Sequence, residues 1–250
     1  MRRQTLCRKL VMASWMAGAL GAGTARAAPA EQRMMPLQSA EVPCTGTPKR
    51  FDTGQIERCT LAGEYRVGDV TLPAGSQVTF ARNGVMSDAF LGGQVVVHGQ
   101  PLPPKATLYF DSAGQVRHFW LREEMSMQGH RLRAMGKGYT GYLGHMLHAN
   151  GKLRAAWLAK PEMIDGIPCA SKLPLFRGGW HAIGLGAQAM AWFYDDGRLQ
   201  QAMLARDATI QGRAFTKGEV ISLRHDGTLD LAAPRIDWSG WEGFPPTTDE

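Results

Sequence analysis

The sequence of 250 residues has only four cysteines, few aromatic residues and, after its first 27 residues, no long apolar run. A membrane-spanning helix needs roughly 20 apolar residues, so no membrane segment is predicted beyond the N-terminus. The sequence has no nucleophile elbow, and its "GLGAQA" segment lacks the strand and helix that a nucleotide loop requires. These absences predict no cofactor and favour a protein that is not an enzyme.

The N-terminus has the three parts of a secretory signal peptide. The basic stretch "MRRQTLCRK" precedes an apolar run of about 14 residues, "LVMASWMAGALGAG", and Ala25 and Ala27 supply the small residues of a cleavage site. We therefore predict that residues 1–27 are removed and that the protein is periplasmic or secreted. An uncleaved anchor is the alternative, and Arg2 with Arg3 is also compatible with twin-arginine export.

Net charge gives no reason to expect a nucleic-acid partner. The formal charge of +6 includes five basic residues in the signal peptide, which leaves +1 for residues 28–250. A nucleic-acid-binding domain carries a concentrated basic surface. The composition therefore predicts no nucleic-acid binding.

The three cysteines that follow the signal peptide fit an oxidising compartment. Cys44 and Cys59 flank the turn signal "DTG" at 52–54, so we expect them on neighbouring strands, joined as a disulfide. Cys169 remains unpaired, as a buried small apolar residue or as a reactive thiol.

Turn glycines recur through the chain at intervals of 30, 30, 37, 46 and 30 residues. They are Gly54, Gly84, Gly114, Gly151, Gly197 and Gly227. An apolar residue stands two positions after each glycine, and a leucine stands seven positions after each of the first five. Such a recurrence is typical of a structural repeat.

Short runs rich in β-branched and aromatic residues join these turns and predict strands. Apolar residues five and six positions after most of these glycines also fit a helix, but the runs are short, and we favour strands with a β-bulge. The predicted fold is all-β, a repeat array of about five 30-residue units, each with four short strands in two hairpins. A meander or solenoid-like sheet is expected, with a closed barrel or propeller as the alternative.

The predicted organisation of the chain has four parts. They are a signal peptide at 1–27, a flexible lead-in at 28–43, the β-repeat domain at 44–233 and a C-terminal aromatic cap or tail at 234–250. In that tail, Trp238, Trp241 and Phe244 either cap the last unit or stack on a sugar.

The segments "FYDDGRLQQ", "FDSAGQVRH" and "LHANGKLRA" resemble the aromatic-x-x-x-Gly-x-Leu element of antitoxin-type MORN-variant repeats. The resemblance covers the turns and flanking strands of five or six units. It implies a meandering β-surface that binds a partner and has no catalytic residues.

Two insertions of 7 and 16 residues interrupt equivalent positions of the repeat, at 133–146 and 170–190. Equivalent insertions in a stacked array emerge on one edge, which is often the binding edge. Their aromatic, histidine and arginine side chains are candidate binding anchors. These candidates are Tyr139, Tyr142, His145, Phe176, Arg177, Trp180 and His181. The alternative is that the aromatic residues only cover the end of the core.

The sequence therefore predicts an exported, non-enzymatic protein that binds an envelope protein or a glycan through the inserted loops. The alternative is a small exported metal-dependent hydrolase that uses His145, His148 and His181. In a strand His145 and His148 would face opposite sides, so a shared metal would require an irregular loop there.

Overall fold

The computed structural model describes residues 42–134, 144–171 and 190–232. Across these ranges the protein is all-β, without a helix, as the sequence predicts. No helix that could cross a membrane was found in these ranges.

Six antiparallel strands form the six-stranded sheet, in the order β1-β2-β5-β6-β9-β10. These strands are β1 (Cys44–Arg50), β2 (Ile56–Leu61), β5 (Gln77–Phe80), β6 (Met86–Phe90), β9 (Thr107–Phe110) and β10 (Val116–Trp120).

Five antiparallel strands form the five-stranded sheet, in the order β13-β14-β17-β18-β21. These strands are β13 (Met146–Leu147), β14 (Leu153–Ala156), β17 (Ala191–Phe193), β18 (Leu199–Met203) and β21 (Val220–Ser222). Backbone hydrogen bonds of 2.9 Å in each direction between Phe119 and His145 connect the two sheets.

Short two-stranded hairpins alternate with the long hairpins along the chain. They pair β3 (Tyr65–Val67) with β4 (Val70–Leu72), β7 (Val95–Val97) with β8 (Gln100–Leu102), β11 (Met125–Met127) with β12 (His130–Leu132), β15 (Glu162–Ile164) with β16 (Ile167–Cys169), and β19 (Ala208–Ile210) with β20 (Arg213–Phe215). None of the sheets in the described ranges closes on itself, because β1 and β21 are free ends of the strand orders. The alternative of a closed barrel or propeller is therefore wrong for this part of the chain.

The predicted turn glycines adopt a left-handed conformation, which a residue without a Cβ takes up readily. Gly114, Gly151 and Gly197 have φ of 74°, 82° and 93°. In each case the glycine N–H donates to the carbonyl three residues earlier. The prediction that these three glycines occupy equivalent turns is confirmed.

A register shift after each of these turns confirms the predicted bulge. Phe80 pairs with Met86, but Thr79 pairs with Asp88, so Ser87 is an extra residue on β6. The shift falls at the third residue after the turn glycine, and it recurs there in the other long hairpins. An extra residue reverses the alternation of side chains beyond it.

The bulge places the residues at the second, fifth and seventh positions after a turn glycine on one face. All of them are buried: Ile56, Cys59, Leu61, Met86, Ala89, Leu91, Val116, Phe119, Leu121, Leu153, Ala156, Leu158, Leu199, Ala202 and Leu204. Apolar residues of the short hairpins, such as Val70 and Leu132, belong to the same cluster. The short hairpins therefore provide the second layer over a common core.

Side-chain amides tie short hairpins to neighbouring turns. Gln128 donates from Nε2 to the Gly151 carbonyl at 2.7 Å and accepts from the Leu153 N–H at 2.9 Å. Gln211 makes the same two bonds, to the Gly227 carbonyl and from the Leu229 N–H. Both bonds of each amide connect elements that are distant in sequence, which fixes the spacing between the layers.

The predicted disulfide joins Cys44 on β1 to Cys59 on β2, with their Cα atoms 5.8 Å apart. Cys169 is fully buried, and its thiol donates to the Ile167 carbonyl. Burial raises the pKa of this thiol to about 12, so it is protonated at neutral pH. Of the two alternatives for Cys169, the structure supports the buried small apolar residue.

Candidate binding surface

The described ends of the two insertions lie beside each other. Arg133 is the first residue of the first insertion, and Ser171 is the last described residue at the start of the second. The Arg133 guanidinium donates from Nη1 to the Ser171 carbonyl at 3.4 Å. The two insertions therefore leave the β-domain from adjacent points.

His145 connects the two ends of the first insertion. Its Nε2 lies 3.0 Å from the Arg133 carbonyl, and its Nδ1 lies 3.3 Å from the Trp157 backbone N–H. Because Nδ1 accepts from an N–H, the ring proton is on Nε2, which donates to Arg133. The ring also packs against Phe119, with centroids 5.3 Å apart.

His145 is fully buried, and burial lowers its pKa to about 4. The imidazole is therefore neutral at neutral pH and has no exposed surface for a partner. In this arrangement the side chain holds the base of the loop in place. The other candidate anchors from the sequence lie outside the described residues: Tyr139, Tyr142, Phe176, Arg177, Trp180 and His181.

The signal peptide, almost all of the lead-in at 28–43 and the tail at 234–250 also lie outside the described residues. The predictions made for them stay predictions.

The outer face, which we define as the face of the sheets directed away from the common core, carries an unexpected group of aromatic side chains. Phe90, Tyr109 and Trp120 lie on the outer face of β6, β9 and β10 and are partly exposed. We call these three residues the aromatic strip. The centroids of the Tyr109 and Trp120 rings are 5.2 Å apart, so these two side chains are in contact.

His118 on β10 pairs with Tyr109 on β9, and their rings stack with centroids 4.5 Å apart and an interplanar angle of 15°. Burial, with a contribution from the nearby Arg117, lowers the pKa of His118 to about 3. Burial and the Asp88 carboxylate raise the pKa of Tyr109 to about 12. Both rings are therefore uncharged at neutral pH, and the stack restrains Tyr109.

Trp120 connects the aromatic strip to the first insertion. Gly144, the first described residue at the end of that insertion, lies so close to Trp120 that an added Cβ would fall 2.5 Å from the indole Cδ1. The aromatic strip and the base of the loop are therefore continuous.

The aromatic strip was not predicted from the sequence, although the sequence carries a signal for it. Phe90 and Trp120 each stand six positions after a turn glycine, where the apolar residues also fitted a helix. Once a bulge is placed at the third position, the fourth and sixth positions face away from the core. The position of the bulge was the missing information.

Two of the three histidines of the hydrolase alternative bind separate backbone groups. His148 lies with Nε2 at 3.0 Å from the Phe193 carbonyl, whereas His145 binds Arg133. His181 lies outside the described residues. Among the residues that are described, no group of three or more His, Cys, Asp or Glu side chains could hold a metal ion.

A cleft near the last turns is lined by charged and amide side chains that already make hydrogen bonds within the protein. Asp165, on its wall, accepts from the Leu199 N–H at 2.8 Å, and Gln211 is committed to the bonds described above. Arg198 donates to the His225 carbonyl at 3.1 Å. We therefore take the aromatic strip and the adjacent loop bases as the candidate binding surface.

Comparisons of the chain with protein-family models, with curated proteins and with solved structures each gave no match.

Proposed function

We propose that this protein is an exported, non-enzymatic β-repeat protein that binds an envelope protein or a glycan through the loops at 133–146 and 170–190. The disulfide and the all-β architecture are consistent with export. A periplasmic or secreted location is part of this proposal, together with removal of residues 1–27.

The repeat array is also part of the proposal. Strands β1 to β20 fall into successive groups of four, each with one long and one short hairpin, and β21 would begin a truncated unit. This order supports the proposal of five full units and one truncated unit. A small unit cannot bury its own apolar face, which explains why one core cluster runs through both layers.

The observation that carries the proposed function is the contact between the bases of the two loops. The hydrogen bond from Arg133 to the Ser171 carbonyl brings the start of one insertion to the start of the other. His145 then holds the end of the first insertion close to its start. Loops with fixed, adjacent bases can present one combined surface to a partner.

The test replaces residues 135–143, residues 172–189, or both, by short Gly-Ser linkers, which leaves the described strands in place. We expect each replacement to reduce capture of a partner from envelope extract while the melting temperature stays close to that of the parent protein. Tyr142→Ala and Trp180→Ala refine the result, because a binding anchor contributes about 2 kcal/mol or more to affinity.

A structural role for the same aromatic residues predicts a different result. Truncation of a buried tryptophan costs about 3 to 5 kcal/mol of stability. If both variants fold poorly, or if binding survives replacement of both loops, the proposed function is wrong.

A further inference from the structure

The outer face of the six-stranded sheet has an unusual composition. Ten positions on β2, β5, β6, β9 and β10 face away from the core. They are Arg58, Thr60, Gln77, Thr79, Asp88, Phe90, Thr107, Tyr109, His118 and Trp120. Aromatic and polar residues are present, but there is no valine, isoleucine, leucine or methionine among the ten.

This combination discriminates between classes of partner. Aromatic residues and arginine also occur in protein interfaces, but the buried centre of such an interface is largely apolar, and a lipid surface selects aliphatic side chains, which are absent from these ten positions. A sugar ring presents C–H bonds on its faces and hydroxyl groups around its rim. The C–H bonds pack on the negative face of an aromatic ring, and the hydroxyl groups can bond to threonine, glutamine and aspartate side chains.

The strand register sets a spacing for such a ligand. Phe90 and Trp120 both pair with Thr107, from opposite sides, so they stand in one row across β6, β9 and β10. Adjacent strands are about 4.8 Å apart, which separates the two residues by about 10 Å. This spacing is comparable with the length of a disaccharide, so successive sugars of one chain can meet both rings.

Charge on this surface favours an acidic ligand. Arg58 and Arg122 are exposed, and neither has an ion-pair partner among the described residues. The Arg122 guanidinium lies 5.7 Å from the centroid of the Phe90 ring, beside the aromatic strip. Among the ten outward positions Arg58 is the one arginine and Asp88 the one carboxylate, and Arg122 adds a second guanidinium beside the strip.

We propose that the aromatic strip, with Arg58 and Arg122, binds a glycan chain that bears carboxylate groups. The inference rests on the proposed role as an exported binding protein, but it uses the sheet face and not the inserted loops. The sugar rings stack on Phe90, Tyr109 and Trp120, and the two guanidinium groups bind sugar carboxylates.

The experiment measures binding of oligogalacturonate to the full chain after export, by titration calorimetry. Methyl-esterified oligogalacturonate is the matched neutral probe, because it differs only in its carboxylates. Phe90→Thr is the diagnostic variant, since Thr60 already occupies the equivalent outward position on β2. Val96→Thr is its control, because Val96 is 55% exposed on a short hairpin in the other layer.

We expect oligogalacturonate to bind and the esterified probe to bind about tenfold more weakly. Phe90→Thr should lose about tenfold in affinity while its melting temperature falls by only a few degrees, and Val96→Thr should bind normally. Arg122→Gln should reduce the dependence of affinity on salt.

Several results would overturn this inference. They are no binding of either probe by the folded protein, equal binding by Phe90→Thr and Val96→Thr, or equal affinity for both probes. Loss of a protein partner from envelope extract in Phe90→Thr, without an effect on glycans, would make this face a protein interface. If loop replacement abolishes partner capture while the strip variants bind as the parent does, the proposed function survives and the glycan inference fails.

Discussion

The inner faces of the two large sheets pack on one common core, but their outer faces differ in composition. In the six-stranded sheet the outward positions are polar or aromatic, and Phe90, Tyr109 and Trp120 remain partly exposed. In the five-stranded sheet the corresponding face carries a second buried apolar cluster. That cluster consists of Met146, Ala155, Trp157, Met190, Trp192 and Met203, and Trp120 of the six-stranded sheet packs against it.

The difference separates the requirements of the fold from those of a surface. The second, fifth and seventh positions after each turn glycine are apolar in both sheets, because they build the common core. The fourth and sixth positions change along the chain, from Arg58 and Thr60 to Gln201 and Met203. Packing of the core therefore does not determine the residue type at these positions, which can differ between the two sheets.

The largest expected effect is a difference in stability between the two outer faces. Trp192 is 4% exposed, so Trp192→Ala should lower the free energy of unfolding by about 3 to 5 kcal/mol. Phe90→Ala should cost about 1 kcal/mol, because its side chain is partly exposed. Urea unfolding of the two variants measures both values, and similar costs would show that the two faces are not distinct.

Acid should weaken the protein through its two buried imidazoles, one on each side of the junction between the sheets. His118 and His145 have pKa values of about 3 and about 4 in the folded state, against 6.5 for the ordinary imidazole. The unfolded chain therefore binds protons first as pH falls below 6.5. Each histidine should remove about 1.4 kcal/mol per pH unit between 6.5 and its folded pKa.

Urea unfolding at about pH 7 and about pH 4.5 measures this slope. His145→Gln and His118→Gln should each reduce it by the contribution of one proton. Each variant loses stability at neutral pH as well, so the slope and not the absolute value is compared. An unchanged slope in both variants would contradict the burial of these rings.

The disulfide provides a further difference, because within the described ranges only the six-stranded sheet has one. Its 15-residue separation predicts a contribution of about 3 kcal/mol to stability. The Cys44→Ala, Cys59→Ala double variant should melt at a lower temperature and should no longer respond to reductant.

Intact mass of the exported protein, with and without reduction, checks both the bond and cleavage after Ala27. Free thiols at both positions would refute the pairing.

The smallest effects concern the turns that both sheets share. Gly151→Val and Gly197→Val should each cost about 1 kcal/mol or more, because both glycines have positive φ. Gly151→Val should cost more, since a Cβ there would overlap the backbone oxygen of His98, whereas nothing lies within 4 Å of a Cβ on Gly197. Thermal melts of the two variants measure the difference. Equal melting temperatures would mean that the backbone at His98 shifts to make room for the added side chain.

Local chemistry made much of the fold predictable. A turn glycine needs positive φ, and the flanking residues are typical of strands, so the hairpins, the bulge and the Cys44–Cys59 pair followed from short segments. The open strand order did not follow, because closure depends on contacts between distant strands. His145 was predicted as a binding anchor, yet its buried bonds to Arg133 and Trp157 involve partners 12 residues away.

Solvent accessibility of the aromatic side chains tests the central contrast most directly, through hydroxyl-radical footprinting of the folded protein with and without oligogalacturonate. We predict rapid oxidation of Phe90 and Tyr109, slow oxidation of Trp157 and Trp192, and protection of Phe90 and Tyr109 when the glycan is added. Equal oxidation of both groups, or no protection of the aromatic strip at a saturating glycan concentration, would contradict the account.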